Sequence, residues 1–409
     1  MNSGAPEPEQ AKGLTMVGYH DLENRPAFKM GMQVVNDRWY LYTGSLWHRG
    51  WSILDVTDPT RPELINFVAG PGNTWTIQMQ VADGLMITAL EKVAPGWGGN
   101  PDLPHRAGVF IWSLADPAQP RYISHFDTGG QGTHRNFYTG GPYLHLAANP
   151  EGYQSNIYMV VDISDLDNPR EVGRWWYPGQ HIGGGEALTI NFGLHGPPHV
   201  EGDRAYLSYG DAGMVILDVS NLARPTLVGR LPFSPPLGSA IPVHSVVPIR
   251  NRAFALVNSE ALAEDCQEPL NYGAVVDISD EQQPRLAALL PLPVPQPGLP
   301  YANFCQKGGR FGTHNQHHWQ GMAHLLHNDN KVYMAYFNAG LRVYDLSDPL
   351  LPREVAYFVP ENPKKRNGPL PRRLVTQTED VLVDSRGNIY ITDKNHGLIV
   401  LRETGPSPG

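Results

Sequence analysis

Apolar residues along this chain come in short runs of four to six, each broken by an aspartate and closed by a proline-bearing turn. The unit reads apolar-apolar-Asp-apolar, then Ser or Thr with Asp, then Pro. It appears as Ile53-Leu54-Asp55-Val56 before Thr57-Asp58-Pro59, and again as Val160-Val161-Asp162-Ile163 before Ser164-Asp165. Ile216-Leu217-Asp218-Val219, Val275-Val276-Asp277-Ile278 and Val343-Tyr344-Asp345-Leu346 repeat it. Ile111-Trp112-Ser113-Leu114 is a variant with serine for aspartate, and Gly397 to Leu401 is a truncated last copy. No stretch sustains a 3.6-residue period, so helices are not expected. Each copy has an apolar strand upstream, such as Ala205-Tyr206-Leu207-Ser208, and full copies have one downstream, such as Leu227-Val228-Gly229-Arg230. Short strands with turn signals at this spacing predict four-stranded antiparallel units repeated along the chain.

Seven such units set radially make a β-propeller, an all-β fold that absorbs 409 residues as one domain. The last copy lacks a fourth strand, and Gly13 to Tyr19 resembles the missing piece. The N-terminus is therefore expected to complete the last blade and remove two free sheet edges. The domain then runs over 13–404, behind a disordered tail over 1–12. The repeats resemble the LVIVD-repeat family of β-propellers from about residue 13 onward. That resemblance implies the fold and says little of activity, because one architecture hosts many chemistries. The repeated aspartate reads as a cap on the turn that follows it.

Composition narrows the partners. A net charge of −9 argues against nucleic acid, which needs a basic face. No apolar run approaches transmembrane length and residues 1–12 hold no apolar core of a secretory signal, so a cytoplasmic protein without a membrane partner is expected. Oligomeric state is not encoded legibly. Two cysteines, Cys266 and Cys305, read as free thiols in a reducing compartment, although both fall in long loops on one face and a pairing there is geometrically open.

Irregular length gathers on that face. It comprises 91–106, 178–193, 259–272, 293–320 and 360–377, whereas the Asp-Pro turns of the opposite face are short. Loops collected on one side of a rigid scaffold are where binding and catalysis reside. Histidines fall just ahead of the second strand in consecutive copies: His134, His195, His244 and His324. Their separations from the aromatic of the second strand (Tyr143, Tyr206, Phe254 and Tyr333) are nine, eleven, ten and nine residues. Strand side chains alternate, so odd separations share a direction, and a bulge would absorb the ten.

Four imidazoles converging on one axis predict a transition-metal site, with Fe(II) favoured and Cu, Mn or Zn as alternatives. Glu186, His317 and His318 are the candidates for acid–base work beside it, and His199 is a substitute ligand. Glu260, Glu379 and Asp380 are expected to orient the imidazoles. Trp47, Trp51, Trp75, Trp97, Tyr138 and Trp319 are candidates to wall an apolar or aromatic substrate. The basic loop Lys364, Lys365, Arg366, Arg372 and Arg373 reads as a solvated surface. The expected function is oxygenase-type chemistry on a small organic molecule. A metal-assisted hydrolase or lyase and a non-catalytic binding scaffold stand as alternatives.

Overall fold

The computed structural model describes residues 4–233, 237, 239–249, 251–269 and 271–405. These residues form four-stranded antiparallel sheets that follow one another along the chain. The 27–69 sheet is built of Ala27–Val35, Arg38–Ser45, Gly50–Asp55 and Glu63–Ala69 in sequence order. The 79–126, 132–175, 199–231 and 241–289 sheets repeat that meander, with one bridge (Gly132 to Glu91) joining the 79–126 and 132–175 sheets. Among the described residues no helix is long and apolar enough to cross a membrane.

The repeat's aspartate does what its position suggests. Asp55, Asp162, Asp218, Asp277 and Asp345 each accept a hydrogen bond from the backbone N–H two residues on, at 2.8 to 2.9 Å. This is an Asx-turn, and it aims the chain into the outer strand. In the variant copy Ser113 Oγ accepts from Ala115 N–H at 3.3 Å, a longer substitute.

Both ends of the chain are tied by the N-terminal segment. Leu14–His20 pairs antiparallel with Gly397–Glu403 and supplies the outer strand of the 378–403 sheet. The expected tail is not all tail: Pro8–Lys12 is a strand that pairs with Arg353–Pro360 at the outer edge of the 331–360 sheet. Alternation of polar and small residues in Pro8-Glu9-Gln10-Ala11-Lys12 concealed it, since an edge strand buries little. Gln10 is nevertheless buried, its amide donating to Tyr301 Oη at 2.8 Å. Residues 1–3 lie outside the described residues.

Hydrophobic cores lie between consecutive sheets rather than inside any one. Tyr42 and Ile53 meet Met79 and Met86, and Val109 and Ile111 meet Leu144 and Met159. The series continues to Val343 and Phe358 against Val381 and Ile391. A further core joins the C-terminal sheet to the N-terminal one: Leu382, Tyr390, Leu398 and Val400 pack on Met30, Met32, Leu41 and Leu54. Two outer-strand glycines show how close this contact is. A Cβ on Gly18 would sit 2.1 Å from Pro59 O, and one on Gly173 2.1 Å from Leu222 O, so each strand lies directly on the Asp-Pro turn of the following sheet.

Candidate metal centre

The innermost strands share a local irregularity. In Gly132–Phe137 the ladder slips between Thr133 and Arg135, leaving His134 out of register. Ile241–Ile249 slips between Ile241 and Ser245, which frees His244, and Thr378–Val383 slips at Glu379. At 314–315 two residues again face one: His314 N–H donates to Ala335 O, while Asn315 O accepts from Ala335 N–H. A bulge turns its extra residue out of the pleat and re-aims it. Here four sheets re-aim a residue toward the same point.

That point is a carboxylate. Glu260 Oε2 lies 3.2 Å from His195 Nε2 and 3.4 Å from His244 Nε2, and Glu260 Oε1 lies 3.7 Å from His314 Nε2. His134 stacks beside His195 with ring centroids 4.4 Å apart, and His244 to His314 is 4.9 Å. Every sheet reaches this cluster: Glu91 from the 79–126 sheet accepts from His134 Nδ1 at 2.7 Å, and Phe28 from the 27–69 sheet sets its edge on His314.

The remaining ring nitrogens are held from behind. His314 Nδ1 donates to Glu379 O at 2.6 Å, and His244 Nδ1 donates to Ser245 Oγ at 2.7 Å. With Nδ1 carrying the proton, each Nε2 turns its lone pair inward. Burial pushes the His195 imidazole down to about 4 and holds His244 and His314 well below the usual range, so these rings are neutral at pH 7. Arg310 Nη1 pairs with Glu260 Oε1 at 2.9 Å.

Two acceptor atoms in this cluster have no hydrogen-bond partner: His134 Nε2 and Glu260 Oε2. A buried acceptor left without a donor is costly, and a cation beside it removes the cost. One ligand atom each from His195, His244 and Glu260 lies within 4.8 Å of the others. Two imidazoles and a carboxylate are a donor set that suits a transition metal. One contact competes: Arg135 Nη2 donates to His244 Nε2 at 2.8 Å, while its Nη1 donates to Asn315 Oδ1. A metal on that nitrogen requires the guanidinium to give way.

Of the four histidines expected as ligands, the structure brings together His134, His195 and His244. His324 lies elsewhere, with Nε2 donating to Met32 O at 3.0 Å and its ring against Trp39. The 331–360 sheet has a long connection after its innermost segment, so counting back from Tyr333 lands in the loop; His314 stands in the cluster instead. Glu186 is exposed and accepts from Gly179 N–H at 3.2 Å within its own loop. His317 is locked by backbone, donating from Nε2 to Leu326 O and accepting at Nδ1 from Val383 N–H. His318 faces His199, not the cluster. None of these three touches the imidazole cluster, which removes the acid–base roles expected of them there. Glu260 and Glu379 are in place, and Asp380 pairs with Lys29 at 3.0 Å.

The mouth is capped by aromatics. Trp97 stacks on Trp47 and meets Trp75 edge-on, and both Arg310 and Lys394 lie against its ring at 5.1 and 4.8 Å. Trp51 and Tyr138 are packing residues between sheets, and Trp319 stacks on His327. The basic loop is engaged locally, Lys364 with Glu361 and Arg372 with Glu264. Beside the mouth, Cys266 and Cys305 are joined in a disulfide with Cα atoms 5.4 Å apart, which corrects the expectation of free thiols.

Comparison with known proteins agrees on architecture. The LVIVD repeat model matches residues 152–176 and 199–231. The chain carries LVIVD repeats in a fold of β-propeller type. Among solved structures it is similar to Saccharomyces cerevisiae Sqt1, with a TM-score of 0.56 at 10% identity over 96% of this chain and 100% of that one. It is also similar to the β-propeller domain of Myceliophteria thermophila Cps50 (Swd1), with a TM-score of 0.56 at 11% identity over 93% and 98%. At such identity the likeness of this LVIVD-repeat protein to them is one of fold. No curated protein matches the chain.

Proposed function

We propose that the chain is a metal-dependent enzyme built on a closed seven-bladed propeller. In support of seven blades and closure, sheets pack pairwise in sequence, the 378–403 sheet packs on the 27–69 sheet, and Leu14–His20 completes the C-terminal sheet. The observation that carries the metal is the close set of ligand atoms from His195, His244 and Glu260, among and beside which Glu260 Oε2 and His134 Nε2 have no hydrogen-bond partner. His195, His244 and Glu260 would hold the ion, with His134 and His314 at its flanks, and Fe(II) is the favoured ion on this donor set.

A bound transition metal would supply redox and Lewis-acid activation of a small molecule. The chain's own residues do the rest. Glu91, Ser245 and the Glu379 carbonyl fix three imidazoles in one tautomer. Arg310 keeps Glu260 ionised and aimed. Trp47, Trp75 and Trp97 exclude water and present an apolar, aromatic surface to a small organic substrate, in keeping with oxygenase-type chemistry. The disulfide favours an oxidising compartment over the cytoplasm expected from the sequence.

A second reading, a non-catalytic scaffold, is favoured by Arg135. Arg135, Arg310 and Lys394 balance Glu91, Glu260 and Glu379 in charge, and the guanidinium already occupies His244 Nε2. Metal content separates the two. Untagged protein is purified and its metals are measured by mass spectrometry beside His195→Ala and Glu260→Gln. Near-stoichiometric iron or copper, lost in both variants, supports the oxidative reading, with oxygen uptake on aromatic substrates as the next measurement. Zinc or manganese redirects the chemistry to hydrolysis or elimination. No metal in any of the three, after incubation with each ion, leaves the scaffold.

A further inference from the structure

Arg135 closes the floor of the histidine cluster, and on its far side lies a second buried space. This chamber is lined by Arg135, Lys29, Gln80, His199, Gln316 and His318, with Phe137 as its aromatic wall. It offers about 20 Å³ to the centre of a water-sized sphere, room for one occupant of roughly that size. Its lining is polar and sealed: Arg135, Asn315, Gln80, His199 and Gln316 are between 3% and 6% exposed.

The lining is also unsatisfied. Arg135 Nε, Asn315 Nδ2, both ends of the Gln316 amide, Gln80 Oε1, His199 Nδ1 and His318 Nε2 have no hydrogen-bond partner. So many orphaned groups around one cavity are a built site rather than a packing flaw, because each costs free energy when left alone. Five of the seven atoms are N–H donors or ring nitrogens able to carry a proton, and two, Gln80 Oε1 and Gln316 Oε1, are acceptors.

Charge and donor count say what kind. Two cations, Lys29 and Arg135, line the chamber, and no carboxylate does among the described residues. Asp380 is behind, with Oδ1 on Lys29 and Oδ2 on the Met30 N–H, so both its oxygens are engaged. Burial, then Lys29 and Arg135, push His199 down to about 3, and burial with neighbouring imidazoles and Lys29 holds His318 well below the usual range. Both rings are therefore neutral and each can present one N–H. Fixed donors are the Arg135 Nε–H, the Asn315 amide and the Gln316 amide. A cation is repelled here, and a neutral water cannot accept from all of these donors at once. A single-atom anion can.

We propose that this chamber binds one small monovalent anion of chloride size, held by Arg135, Asn315, Gln316 and the His199–His318 pair. The site shares Arg135 with the cluster above, so the anion is held in the state in which the guanidinium rests on His244 Nε2 and Asn315 Oδ1. Its size rejects sulfate, phosphate or a carboxylate and admits a single-atom ion.

Bromide is the probe. Crystals of the full chain grown or soaked in sodium bromide are measured at the bromine absorption edge, and an anomalous peak between Arg135 Nε and the Gln316 amide is expected. In solution, thermal unfolding in sodium bromide is compared with sodium isethionate at equal ionic strength, and a saturable rise in Tm is expected with bromide alone. Gln316→Leu should raise the bromide concentration at half-effect by about tenfold, since it removes one donor of a charge-assisted set. A chamber filled by density without anomalous signal, bromine peaks confined to the surface, or a Tm that responds equally to both salts would each overturn the proposal. The diffraction measurement needs no variant, so a misfolded Gln316→Leu cannot leave the matter open.

Discussion

Two parts of this propeller are equally rich in histidine and differ in what their ring nitrogens do. In the cluster around Glu260, backbone and side chains grip Nδ1 from behind and leave Nε2 facing other acceptors. In the segment 317–327 three of the four rings are spent on structure: His317 bridges Leu326 O and Val383 N–H, His324 reaches Met32 O, and His327 pairs with Asp329. A histidine's neighbours, not its spacing, decide whether it is a ligand or a rivet. One region spends hydrogen bonds to close the fold, and the other withholds them.

The comparison breaks hardest at Glu260. It is the one carboxylate shared by three imidazoles and Arg310, so Glu260→Leu strands a buried guanidinium and removes a ligand together. A loss of about 3 to 5 kcal/mol is expected from leaving a buried charge unpaired. Urea unfolding measures it, and metal content should fall in the same protein. A variant of wild-type stability would show that Glu260 is not the counter-charge on which Arg310 depends.

The next effect lies at the mouth. The Cys266–Cys305 bond closes 39 residues of chain beside Gly309 and Arg310, with Asp265 Oδ1 accepting from Gly309 N–H at 3.1 Å. Replacing both cysteines by serine should cost about 3 to 4 kcal/mol through loop-closure entropy. Because Arg310 positions Glu260, bound metal should also exchange faster, a readout the 317–327 segment would not affect.

Much of this was legible beforehand, and the failures share a cause. Repeat, strand order, turn aspartates and the role of Leu14–His20 follow from local periodicity, which is where sequence speaks clearly. Spacing brings out His134, His195 and His244, which the fold does gather, because their loops differ in length by a residue or two. His314 was passed over for His324 because an insertion on the opposite face destroyed the count. Its signal was present in Thr313-His314-Asn315, which parallels Thr133-His134-Arg135. Glu260, the centre of the site, reads from the sequence only as one of several carboxylates that orient the imidazoles. Burial of a carboxylate is a tertiary fact.

Proton linkage sharpens the contrast from the structural side. Burial pushes His317 down to about 4, and its neutral form is locked because Nδ1 accepts a backbone N–H. Below pH 6.5 the unfolded chain takes up a proton that the folded chain refuses until about pH 4. Stability is therefore fullest above 6.5 and falls as pH drops toward 4, by roughly 3 kcal/mol for this group. Urea midpoints followed from pH 7.5 to 4.5 should slope downward, and more shallowly in His317→Gln. An unchanged slope in that variant would assign the linkage to other buried imidazoles such as His145, which burial also pushes to about 4.

The smallest effect is the most discriminating. His324→Ala removes one hydrogen bond to Met32 O and an edge contact with Trp39 at 6.4 Å, and the ring is only partly buried. A loss of about 1 kcal/mol is expected, the ordinary net value of such a bond. Metal content should not move, whereas His195→Ala, which opens the ligand set, should empty the site. Spacing alone ranks His324 and His195 as equals, and donor geometry ranks them as opposites. Metal analysis of the two single variants, side by side, decides between those criteria. If His324→Ala loses metal and His195→Ala keeps it, the cluster around Glu260 is an internal salt-bridge network and the ligands lie at the other end of the channel.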